Sequence, residues 1–174
     1  MVENTSSATS GSPGKGRKTS FELYREGQST LAIKLTVGMV LVARRWRALL
    51  DEALRGANQS SARMETLAAI INSPPLSPQV DIARRLRIEG PTLTRMLDSL
   101  ERDGLVERLA DPSDRRTKQL RVTPEGEAVL EEIFAIADNL RGQLLEELTE
   151  EQIAQTNGIL AQLIGRLDEG FTTE

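Results

Sequence analysis

Two short runs in this 174-residue chain carry the residue types that read a polyanion. The first is Pro91-Thr92-Leu93-Thr94-Arg95, where hydroxyls and a guanidinium alternate with apolar positions. A threonine hydroxyl can hydrogen-bond a base edge or a phosphate, and a guanidinium forks onto guanine or onto phosphate oxygens. The second is Asp114-Arg115-Arg116, two guanidiniums beside a carboxylate. Arginine is favoured in a narrow minor groove because the potential there is most negative. An Asp two residues before Arg116 can accept its fork and hold it extended. Each run also has a plainer reading: a solvated helix face for the first, a surface ion pair worth about 0–1 kcal/mol for the second. The elements that carry the two runs decide between these readings.

Leu93, Met96, Leu97 and Leu100 follow the i, i+3, i+4, i+7 pattern and predict a helix from Pro91 to about Asp103, ended by Gly104. At about 100° per residue, Arg95 lies opposite the Leu93/Leu97/Leu100 stripe, with Pro91, Asp98 and Arg102 nearby and Thr92, Thr94 and Ser99 flanking. Asp98 repels phosphate, which confines the contact to the N-terminal half. Upstream, Ser77-Pro78 reads as an N-cap with Pro at the first helical position, opening a short helix to Leu86. Arg87-Ile88-Glu89-Gly90 is the connecting turn. Two short helices joined in this way are the helix-turn-helix signature, whose second helix offers its N-terminal residues to base edges. Two candidate strands follow, Leu105 to Leu109 and Gln119 to Val122. Asp114-Arg115-Arg116 lies between them, so the second run sits on the tip of a hairpin, a wing.

Longer helical patterns flank this unit. One runs from Gln28 to Arg55, with Gly56 as its stop, and a shorter one spans Ser61 to Asn72 before Ser73-Pro74-Pro75. Thr123-Pro124-Glu125 opens a helix to about Glu147, and Thr149 with Gln152 fits a capping box at the start of a last helix through Leu167. The apolar stripes of the terminal helices are too wide for a small winged-helix core to cover. A two-fold dimer is the commonest remedy, and packing on one another in a monomer is the alternative. Residues 1–20 contain twelve Ser, Thr, Gly or Pro and read as a disordered low-complexity tail.

Composition narrows the chemistry. The chain has no Cys and no His, so thiolate chemistry, the commonest general base and the commonest transition-metal ligand are all missing. No enzyme activity, cofactor or metal is expected. Residues 1–123 hold 20 basic and 14 acidic side chains, whereas residues 124–174 hold 2 basic and 12 acidic, within a net charge of −4. That asymmetry sets a surface suited to an anionic partner apart from an acidic end. There is neither an apolar run of about 18 residues nor an N-terminal apolar signal, so no membrane association and a cytoplasmic location are expected.

In order and spacing, Asp81-Ile82-Ala83-Arg84-Arg85-Leu86, Pro91 to Glu101, Gly104-Leu105-Val106, Asp114-Arg115-Arg116 and Leu120 to Gly126 resemble the MarR family of bacterial transcription regulators. Ala43 to Asp51 is similar to its SlyA-like branch. The resemblance covers about residues 28–170. The fold class it implies is mainly α (α+β): a domain over 21–174, with a winged helix-turn-helix over 77–123 and dimerisation helices over 28–55 and 124–170. It further implies a homodimer on double-stranded DNA, at a near-palindromic operator. Arg116 would be the minor-groove arginine beside Arg115, Asp114 its orienter, and Pro91 to Arg95 the recognition segment. A small aromatic acid would bind between the dimer helices and the winged domain, with Arg44, Arg45 and Trp46 as neighbours. The competing reading is a helical dimeric interaction module that ignores DNA.

Overall fold

The structure, a computed structural model, describes residues 18–111 and 117–170. Its elements run α1 (Ser20–Arg25), α2 (Leu31–Leu54), α3 (Ser61–Ile71), α4 (Gln79–Leu86), α5 (Gly90–Arg102), β1 (Val106–Ala110), β2 (Lys118–Val122), α6 (Pro124–Leu145) and α7 (Glu150–Glu169). They form two compact units, one ending at Arg47 and the other starting at Ala48.

The first unit corrects two expected boundaries. The end of the expected tail, Lys18 to Ser20, leads into α1. Thr19 accepts from the Glu22 amide while the Glu22 carboxylate accepts from the Thr19 amide. This reciprocal cap was masked by the Ser/Gly/Pro-rich composition around it. The long helix begins at Leu31 rather than Gln28, because the Gln28 amide closes back onto Leu23 O at 2.8 Å behind left-handed Gly27. Thr30 takes the cap, accepting from the Ile33 amide at 3.2 Å.

In the second unit Leu67, Ile82, Leu93, Leu97, Leu100, Val106 and Leu120 form one buried cluster shared by α3, α4, α5 and the hairpin. Burying each such side chain contributes about 1.5–3 kcal/mol relative to exposure. Gly56 is not the stop of α2. It lies in a short 3-10 turn, and Asn58 takes the left-handed conformation, φ 55°, that Asn tolerates better than most residues. Ser77 is not a helix cap either. It is buried, its hydroxyl donates to Pro74 O at 2.7 Å, and its carbonyl accepts from the Leu120 amide at 3.1 Å. The chain before α4 thereby lies along β2, and Pro78 pairs with Gln119.

The strands are antiparallel with Arg108 opposite Leu120, and each starts one residue away from the expected position. Leu105 still closes α5, its amide donating to Leu100 O at 2.9 Å behind Gly104, φ 74°. Thr123 caps α6 as expected: it accepts from the Gly126 amide at 3.0 Å and donates to Gly104 O at 2.7 Å. A Cβ on Gly126 would stand 2.1 Å from Leu105 O, so only glycine lets α6 start this close to the hairpin. Thr149 and Gln152 form the expected capping box of α7. Helix α7 buries no residue, and Ile159, Leu160, Ile164 and Leu167 stand exposed on it, as Leu31, Leu35 and Val42 do on α2.

Candidate nucleic-acid interface

The helix α5 turns its Leu93/Leu97/Leu100 stripe inward, as the spacing predicts, and leaves Pro91, Thr92, Thr94 and Arg95 exposed. Arg95 pairs with no carboxylate among the described residues. The Thr94 hydroxyl donates to Gly90 O at 3.0 Å and accepts from the Gln79 side-chain amide at 2.7 Å. Gln79 opens α4 and so joins this face from 15 positions upstream. No local spacing announces such a contact, and sequence reasoning did not find it.

Two arginines that the sequence did not single out hold the helix. Arg108, from β1, donates to Asp98 at 2.6 Å, to Glu101 at 3.0 Å and to Thr94 O at 3.0 Å. Asp98 is therefore not the bare anion expected from its position; a guanidinium neutralises it. Arg63, from α3, donates to Ser99 Oγ at 3.0 Å and to Asp103 at 2.7 Å, and is itself oriented by Gln59 at 2.8 Å. The two arginines grip flanks about 150° apart around the helix, and Arg95 projects from the arc between them. Both are mostly shielded, with 16% and 12% of the side chain exposed for Arg108 and Arg63, so these contacts exceed ordinary surface pairs in geometry and shielding.

The hairpin is described as far as Asp111 on one side and from Thr117 on the other. The Asp111 amide donates to Thr117 O at 3.2 Å, and the Gln119 side chain donates to the Asp111 carboxylate at 2.7 Å. Asp114, Arg115 and Arg116 lie outside the described residues. Opposite Ala110 at the loop end of the hairpin, Lys118 is exposed and borders, with Arg84, an open cleft of about 580 Å³ that also takes in Gln79 and Gly90.

In the first unit, Arg44 borders a groove of about 350 Å³ walled by Val37, Val40 and Leu41. Arg45 and Trp46 do not line it. Consecutive residues of a helix diverge by about 100°, so Arg45 and Trp46 point away from the groove that Arg44 borders. Among the described residues no acidic cluster suited to a metal ion is present, and no helix is long and apolar enough to cross a membrane.

The sequence profile of the MarR family matches residues 60–118, from α3 to the first residue of β2. A solved structure, transcriptional regulator PA3341, is 33% identical and superimposes with a TM-score of 0.69, over 78% of this chain and 98% of that one. The chain belongs to the MarR family. Two further MarR-like structures contain DNA. A MarR variant from E. coli complexed with operator DNA is 28% identical, with a TM-score of 0.69 over 78% of this chain and 99% of that one. The S. aureus MepR–DNA complex is 25% identical, with a TM-score of 0.68 over 75% of this chain and 96% of that one. In this MarR-family chain the profile spans α4, α5 and β1, the elements that carry Gln79, Thr94, Arg95 and Arg108.

Proposed function

We propose that this chain is a cytoplasmic, dimeric, sequence-specific DNA-binding transcription regulator of the SlyA-like type, acting by binding rather than by catalysis. Helix α5 enters the major groove of a near-palindromic operator through Pro91, Thr92, Thr94 and Arg95. The wing enters the minor groove through Arg115 and Arg116, with Asp114 orienting Arg116. The observation that carries this reading is the exposed Thr92/Thr94/Arg95 face of α5, held rigid from both flanks by Arg108 and Arg63. The DNA complexes of the E. coli and S. aureus relatives support it. The SlyA-like assignment rests on the Ala43 to Asp51 run.

The apolar residues left exposed on α2 and α7 support a second copy as their cover. A small aromatic acid modulates the binding, near Arg44, Arg45 and Trp46. The groove beside Arg44 supports this part, since apolar walls suit a ring and a guanidinium suits a carboxylate.

A gel-shift titration on the chain's own upstream intergenic DNA, at two salt concentrations and with or without salicylate, tests the reading. A specific shift at nanomolar protein that weakens with salt is expected, with release by the acid. Binding no better than to random DNA would favour a protein partner for the winged domain.

A further inference from the structure

We propose that Arg108 is a positioning residue for operator binding, fixing the DNA-facing helix to the first wing strand and neutralising the carboxylates beside its reading face. The inference rests on the regulator reading above. Thr94, Asp98 and Glu101 recur at i, i+4 and i+7, so they form one flank of α5, and the Arg108 guanidinium meets all three. The guanidinium also gives up something to do so. Its Nε is buried without an acceptor, so its geometry serves α5 rather than its own full hydrogen bonding. The apolar cluster beneath is tightly closed, with Leu93, Leu97, Leu100 and Val106 at most 1% exposed.

Two consequences follow. Without Arg108, Asp98 and Glu101 present two negative charges next to Arg95, against the phosphate backbone. The distance between helix and wing also becomes soft, so one protein could no longer hold both grooves in register. Lysine cannot replace it, because an ammonium is a compact point charge that does not span three acceptors in a fixed fork.

The test uses full-length wild type, R108K and R108M. Each is titrated on operator and on a random duplex of equal length, and amide hydrogen exchange is followed without DNA. R108M is expected to lose at least tenfold in operator affinity. R108K should lose at least fivefold on operator while staying within twofold of wild type on random DNA. Adding D98N and E101Q to R108M should recover random-duplex binding but not operator preference. Amides of 94–102 should exchange at least fivefold faster in both variants, with those of 61–71 unchanged. Wild-type exchange in R108K would overturn the clamp, whatever the affinity. Faster exchange with wild-type operator affinity would overturn its role in binding. Should wild type itself fail to bind operator, the regulator reading fails in that first titration, and the exchange measurement still decides the clamp. R108K carries the test if R108M does not fold.

Discussion

In the proposed function, Arg95 and Arg116 are the side chains on which sequence reading in the two grooves turns. Arg95 is exposed at the start of a groove-sized helix, with no carboxylate drawing its charge away among the described residues. Arg95→Ala is expected to cost about 1–3 kcal/mol of operator affinity and to relax discrimination at one base position, measured by fluorescence anisotropy across single-base operator variants. Arg116→Ala should cost a similar amount, about 1–3 kcal/mol, and lower the salt slope by about one. An unchanged affinity in that variant would remove the wing from the interface. Gly126 acts at the same scale but on stability. The Leu105 carbonyl that a new Cβ would meet at 2.1 Å also accepts the Thr123 amide at 3.1 Å, so it cannot simply swing away. Gly126→Ala should therefore lower the unfolding free energy by about 1–3 kcal/mol in urea titration, although alanine is ordinarily the better helix former.

Helix α5 is the element around which the second unit is built. Three fully buried leucines fix its inner face, and Arg63 and Arg108 fix its rotation. Leu97→Ala leaves a cavity in the buried cluster that α5 shares with α3, α4 and the hairpin, and is expected to destabilise by about 2–5 kcal/mol. Chemical unfolding followed by circular dichroism measures this, and a loss below 1 kcal/mol would mean that α5 is not the keystone described. At this scale much was legible beforehand. The apolar period of α5, the Gly104 stop and the caps at Thr123 and Thr149 are local signals, and the structure reproduces them. The misjudged boundaries lie where a competing partner takes a group that local pattern assigns elsewhere. Ser77 gives its hydroxyl to Pro74 and its carbonyl to β2, so the cap expected of it does not form.

For the molecule as a whole, the unsatisfied feature is apolar surface. Helix α7 follows an amphipathic pattern, yet Ile164 and Leu167 remain 51% and 58% exposed in a single chain. A chain that keeps such a stripe in water invites association, and the proposed two-fold copy would close it. Ile164→Glu is expected to shift a dimer toward monomer in sedimentation velocity at micromolar protein, and to abolish tight operator binding with it. A dimer that survives the charge would place the interface elsewhere.

The sequence alone determined the order of elements from α2 onward, the helix-turn-helix, the hairpin behind it and the inward and outward faces of α5. Each of these depends on residues within about one or two turns of each other, where spacing and capping chemistry act directly. The tertiary structure decided what each charge meets. Asp98 is neutralised from a strand 10 positions on, Ser99 and Asp103 are held by Arg63 from 36 and 40 positions back, and Thr94 takes a hydrogen bond from Gln79. These partners come together only when α3, α4 and the hairpin pack on one buried cluster, and no periodicity along the chain records which side chains that packing brings within reach.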